Sequence, residues 1–217
     1  MFALEHLSKN NIEVEIRNEE LLQQALQQEK GVLLVGAHLG NWELIHPILA
    51  QKKYPIVLFV GKQSNTLVDE DFNRIRGSFG GELVGRSKIA SLALKKALTQ
   101  QKIVAMLVDQ GDYKSSLFVE FFGKKASMSR GTPSFYLRSG SPLLFTYCVA
   151  ENGKYILDFQ EIVIPPLSGN MDRDMILVSR AILTVIEEMI VKYPEQYFWM
   201  HKRWKHRPTD DPNPVYP

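Results

Sequence analysis

One cysteine, Cys148, is all that the 217 residues carry. A disulfide within the chain is therefore excluded, and the apolar run around Cys148 predicts a buried, inert thiol in a protein of a reducing compartment. There is no run of about eighteen apolar residues, and the N-terminus lacks the charged, apolar and small-residue order of a signal peptide. The chain as it stands is thus not expected to span a membrane. No Gly-x-Ser-x-Gly elbow occurs, so no serine nucleophile of that kind is expected. His38, His46, His201 and His206 show no metal-ligand spacing, and neither a metal nor another cofactor is expected.

What is present balances 45% hydrophobic against 23% charged residues, a composition that fits one packed domain. The net charge of +2 conceals an uneven spread. Residues 1–50 carry 3 basic and 7 acidic side chains, residues 51–130 carry 14 and 7, and the rest 9 and 10. A basic middle suits phosphates, anionic lipid or an acidic partner, and equally an ordinary solvated surface.

The hydrophobic period changes repeatedly along the chain. Glu19–Glu29 reads as a helix stopped by Gly31, Val32–Val35 as a strand buried on both faces, and residues 41–51 as a helix. The alternation continues with a strand at Ile56–Val60, helices at Thr66–Ser78 and Ser87–Gln101, and a strand at Ile103–Val108. Strands at Leu117–Phe122 and Pro142–Ala150 flank a helix opening at Thr132-Pro133 and closing at Gly140. Asn152-Gly153 marks a hairpin into Lys154–Ile164, and a long helix spans residues 172–193. This pattern predicts a single α/β domain with a mainly parallel central sheet flanked by helices. Residues 1–30 read as a helical lead-in, 31–208 as the domain and 209–217 as a loose tail.

Chemistry concentrates in Gly36-Ala37-His38-Leu39-Gly40-Asn41-Trp42-Glu43, at the end of the first buried strand, where open α/β sheets place their ligands. On a continuous helix His38 and Glu43 would sit about 140° apart around the axis. They meet only if His38 lies in a loop and Glu43 in the first helical turn. Gly36 and Gly40 permit such a loop. Glu43 would then fix the imidazole tautomer and leave the other nitrogen as a general base toward a substrate hydroxyl. The alternative is a histidine that caps a helix or packs in the core.

The motif His38-x4-Glu43 in this context resembles the lipid A biosynthesis lauroyl/myristoyl acyltransferase family, relatives of the glycerolphosphate acyltransferases. Val108-Asp109-Gln110, Val119-Glu120-Phe121-Phe122-Gly123, Gly140-Ser141-Pro142 and the segment from Tyr193 through Arg203-Trp204 to Arg207-Pro208 are similar to that family's later blocks, in its order. The resemblance implies an acyl carrier protein thioester as donor, a glycolipid precursor of lipid A as acceptor, and a place at the membrane surface, on the cytoplasmic face of the inner membrane. It implies His38 and Glu43 as the catalytic pair, and Arg74, Arg76 and Asn41 as substrate or phosphate contacts. An ordinary helix surface is the alternative for the two arginines.

Asp109 and Gln110 are secondary site candidates: Asp109 is expected to organise its loop by accepting backbone amides, with a substrate contact as the alternative. Glu120 stands as a second candidate carboxylate near His38, and Gly123 as a turn. His201–Arg207, with four cationic side chains around Trp204, is expected to face lipid headgroups; no nucleic-acid fingerprint accompanies it. Two rivals keep the fold: an acyltransferase for another glycolipid such as a phosphatidylinositol mannoside, and a noncatalytic lipid-binding domain.

Overall fold

Strand formation here follows burial. Val32–Gly36 (β2) is buried at every position, and Ile103–Leu107 (β5) at all but the last, as aliphatic runs must be when helices cover both faces of a sheet. The computed structural model describes residues 13–61, 65–111, 116–208 and 215–216. The remaining strands are β1 (Val14–Arg17), β3 (Ile56–Val60), β4 (Glu82–Gly85), β6 (Ser116–Phe121), β7 (Lys124–Ser129), β8 (Leu143–Glu151) and β9 (Lys154–Glu161). Among the described residues, seven form one sheet in the order β1-β9-β8-β2-β5-β3-β4, and β6 and β7 form a separate antiparallel hairpin. Within the sheet β8, β2, β5, β3 and β4 run parallel. The β8–β9 hairpin reverses direction, and β1 pairs parallel to β9.

Helices α1 (Glu19–Leu26), α2 (Ile45–Gln51), α3 (Thr66–Ser78), α4 (Ala90–Thr99), α5 (Gly131–Ser139) and α6 (Met171–Lys192) connect and cover the strands. Alternating side chains feed two apolar layers: Leu33, Val35, Val104 and Met106 point into one, and Val32, Leu34, Ile103 and Ala105 into the other. The chain is therefore a single α/β domain with a mainly parallel central sheet between helices. No helix among the described residues is long and apolar enough to cross a membrane.

Three strands departed from expectation. β1 and β4 lie at the two edges of the sheet and have no fully buried residue, so neither shows a buried apolar run. β7 is Lys124-Lys125-Ala126-Ser127-Met128-Ser129, polar in composition yet buried from Ala126 to Met128. The helix expected over 41–51 starts with a 3-10 turn at Trp42–Leu44 and becomes α-helical only at Ile45. Residues 1–12 of the expected lead-in and 209–214 and 217 of the expected tail lie outside the described residues.

Candidate active site

β2 ends at Gly36, and the chain then crosses the C-terminal edge of the sheet as a loop carrying His38. Gly40 makes that crossing possible. It adopts φ +62°, and a Cβ there would lie 2.2 Å from the Cys148 carbonyl oxygen, so no other residue fits without moving β8. The loop is pinned on both sides. Asn41 N–H donates to Cys148 O at 2.7 Å and Gly40 N–H to Gln196 O at 2.8 Å, while Phe198 N–H donates to His38 O at 2.9 Å.

Asp109 leaves β5, the neighbour of β2, and its carboxylate takes hold of His38 twice. Oδ1 lies 2.7 Å from the ring Nδ1, and Oδ2 accepts the His38 backbone N–H at 3.1 Å. A carboxylate only accepts, so Nδ1 carries the proton and Nε2 presents its lone pair. The Gln110 side-chain nitrogen lies 3.3 Å from Nε2, in position to donate to it. Trp42 meets the imidazole edge to face at 4.9 Å and Phe198 lies 6.2 Å away, which restricts ring rotation. Asp109 is itself only 2% exposed.

The ring nitrogen that Glu43 was expected to hold is taken by Asp109, and Glu43 is engaged elsewhere. Its two oxygens accept from Arg76 Nε at 3.0 Å and Nη2 at 2.6 Å, a paired geometry in which guanidinium and carboxylate match. The 3-10 turn explains the outcome: it sets Glu43 toward α3, whose Arg76 also stacks over Phe72 at 5.1 Å. His46, one turn further on, is buried without a hydrogen-bond partner for either ring nitrogen. Burial, then the charge of Arg76, holds its pKa below the usual histidine value, with Glu43 and the backbone at Gly80 opposing.

These groups open onto a cleft of about 880 Å³. It straddles the strand ends. Leu58, Ala105 and Ile45 line it from one face of the sheet, and Leu94, Met106 and Phe135 from the other, with His38, Asn41, Glu43, Arg76 and Gln110 between. An apolar cleft with a few converging polar groups is the usual form of a small-molecule site.

Other expected site residues fall outside it. Arg74 is exposed and pairs with Asp71 at 2.5 Å, on the solvent side of α3. Glu120 points to solvent from β6, and its carbonyl accepts from Arg180; hairpin alternation sends its neighbours Val119 and Phe121 inward instead. Gly123 makes the β6–β7 turn at φ +72°. In the expected headgroup cluster, Arg203 is only 2% exposed and donates to Ser127 O at 2.6 Å while stacking on Phe121. Lys202 and Lys205 remain exposed. Near Asp109, burial raises the Tyr197 hydroxyl pKa and the Asp109 charge adds to it.

The sequence reading assigned Asp109 to the loop and missed its ring contact. The available signal was a carboxylate just past the end of an aliphatic, largely buried strand, since adjacent parallel strands deliver their ends to one site.

With this geometry in view, comparison with known proteins is decisive on kinship. The family described as bacterial lipid A biosynthesis acyltransferase matches residues 2–206. The chain belongs to that family. It is similar to the lipid A biosynthesis palmitoleoyltransferase of Escherichia coli (strain K12), with 27% identity over 193 residues, 88% of this chain and 61% of the relative. It is also similar to the lipid A biosynthesis lauroyltransferase of the same strain, 28% identical over 205 residues, 92% of this chain and 64% of the relative. The phosphatidylinositol mannoside acyltransferase of Mycolicibacterium smegmatis is 22% identical over 183 residues, 83% of this chain and 59% of that protein. The chain thus spans about three fifths of the length of these relatives.

Proposed function

We propose that the chain is an O-acyltransferase that moves a fatty acyl group from an acyl carrier protein thioester to a hydroxyl of a lipid A precursor, with His38 as general base and Asp109 as its positioning carboxylate. The observation that carries this reading is the 2.7 Å contact between His38 Nδ1 and Asp109 Oδ1, which leaves Nε2 as the proton acceptor at the cleft. Family membership supports the reaction class.

In this mechanism the acceptor hydroxyl displaces the Gln110 amide from Nε2. Nε2 removes the proton as the oxygen attacks the thioester carbonyl, and Asp109 stabilises the imidazolium that forms. Collapse of the tetrahedral intermediate breaks the C–S bond, and the imidazolium returns its proton to the departing sulfur. The thioester is already activated, so the chain needs to supply only base, orientation and a dry channel. The apolar walls at Leu94, Met106 and Phe135 suit the acyl chain. Glu43 engages two nitrogens of Arg76 and holds the guanidinium in the cleft wall, where its remaining edge suits a substrate phosphate. Asn41 lines the same wall.

A lipid acceptor places the work at a membrane surface, and a lipid A precursor places it on the cytoplasmic face of the inner membrane. Similarity to a phosphatidylinositol mannoside acyltransferase supports a second reading in which the acceptor is that glycolipid. The test is transfer of labelled acyl chains from acyl carrier protein to each acceptor in detergent, by wild type and His38→Ala. The reading expects acylated lipid A precursor from wild type alone. Equal product from both proteins overturns it, thioester loss without an acylated product points to a hydrolase, and binding without turnover points to a noncatalytic lipid-binding domain.

A further inference from the structure

Among the described residues Arg203 is the one lysine or arginine that is buried. Its Nη1 donates to Ser127 O at 2.6 Å, and the guanidinium lies over the Phe121 ring at 5.1 Å. Nε and Nη2 are buried with no hydrogen-bond partner among the described residues. A guanidinium stays charged inside a protein, and a buried charge is costly unless an opposite charge compensates it. Burial works against the charge of Arg203, while Tyr197, Asp109 and Tyr216 work for it. The carboxylate in that set is Asp109, the partner of the His38 ring.

The backbone brings these groups together from two sides. Gly111, two residues past Asp109, packs so closely on Ser127 that a Cβ there would lie 2.1 Å from Ser127 Oγ. By holding Ser127 O, Arg203 thus braces the strand on which the Asp109 turn rests. On the other side, residues 196–198 are stitched to the His38 loop. Gly40 N–H donates to Gln196 O, Leu39 and Tyr197 form a β-bridge, and Phe198 N–H donates to His38 O. Tyr197 is carried in beside the dyad, buried, with its hydroxyl directed at the Asp109 carboxylate, and the charge of Arg203 acts on the same hydroxyl. Asp109 spends both oxygens on His38, one on Nδ1 and one on the backbone N–H. A cation and a hydroxyl donor on its far side fix where that charge and its lone pairs lie.

We infer that Arg203 and Tyr197 are positioning residues, which hold the Asp109 carboxylate from behind and through it aim the His38 imidazole. Both act through Asp109, and the segment from Gln196 to Arg203 belongs to the catalytic apparatus as its rear wall. A buried arginine with most of its N–H groups unpartnered is then the counter-charge of a buried carboxylate. The inference deepens the acyl-transfer reading and rests on it.

The test is a pair of double-mutant cycles in steady-state acyl transfer, Arg203→Met with Asp109→Asn and Tyr197→Phe with Asp109→Asn. Each of Arg203→Met and Tyr197→Phe is expected to lower kcat about tenfold with KM little changed, and by less than about twofold in the Asp109→Asn background. A role confined to packing would lower kcat by the same factor in both backgrounds, and that outcome overturns the inference. Tyr197→Phe removes a single hydroxyl, so the test stands even where Arg203→Met fails to fold. A second readout needs no turnover. The His38 Nδ1 proton, in a contact of 2.7 Å with Asp109, is expected at low field in the proton NMR spectrum of the wild type and at a shifted position in Tyr197→Phe. An unmoved resonance overturns the inference whatever the substrate. A moved resonance together with full turnover by Asp109→Asn supports the positioning and sinks the acyl-transfer mechanism, so the two failures are distinguishable.

Discussion

Glu43 and Arg76 form a two-pronged ion pair, 3.0 and 2.6 Å long, across the wall of the cleft. The pair binds the turn after the His38 loop to α3, so that the acidic residue of the His-x4-Glu motif acts on an arginine 33 positions away. Arg76 is only 12% and Glu43 19% exposed, and removing either partner leaves a poorly hydrated charge.

Arg76→Met is therefore expected to lower stability, and a double-mutant cycle with Glu43→Gln to return a coupling of about 1–3 kcal/mol in urea unfolding. Additivity of the two single variants would show that the contact contributes nothing measurable.

Gly40→Ala should be among the most damaging single changes in the chain. The new methyl would stand 2.2 Å from the Cys148 carbonyl at a positive φ, and relief requires β8 and the His38 loop to part. A loss of about 2–4 kcal/mol of stability is expected, together with loss of transfer. A wild-type melting curve for this variant would contradict the loop geometry.

Much of the architecture is legible in the sequence, for reasons visible in particular elements. β2, β3 and β5 are aliphatic because both faces are covered, and α3 was delimited correctly at Thr66–Ser78, where the Asn65 side chain accepts from Leu67 and Val68 N–H. Edge strands β1 and β4 escaped notice because half-exposed edges carry no apolar run. The site was legible as a location more than as a mechanism. His38 and its loop glycine announce themselves locally, whereas the Asp109 contact depends on β5 lying beside β2, a pairing across 71 positions that no local pattern encodes. The contact of Glu43 is equally non-local, since its partner Arg76 arrives on a separate helix.

Stability should fall in acid through His46. Burial and Arg76 depress its pKa, so the folded state resists the proton that the unfolded chain accepts below about pH 6.5. The unfolded state then binds more protons, and stability present above that pH is lost below it. Urea midpoints measured between pH 7.5 and pH 5 are expected to fall, and to fall less steeply in His46→Leu. An identical slope in that variant would remove His46 from the account.

The opposite sign applies to Cys148. Burial pushes its thiol up to about 12 from an ordinary value of 9.0. Its contribution is intact below about pH 9 and is lost as pH climbs from there toward 12, because the unfolded chain releases a proton that the folded one keeps. Native protein at pH 8 should resist alkylation by iodoacetamide, and urea-unfolded protein should react fully. Rapid labelling of the native state would contradict the burial.

The central claim is that Asp109, rather than Glu43, sets the tautomer and direction of the catalytic histidine. Single-turnover acyl transfer by Asp109→Asn and Glu43→Gln tests it most directly. Asp109→Asn is expected to slow the chemical step by about 10²–10⁴-fold, while Glu43→Gln acts mainly on KM by loosening Arg76. Near wild-type turnover in Asp109→Asn, with the collapse of kcat appearing in Glu43→Gln instead, would contradict the account.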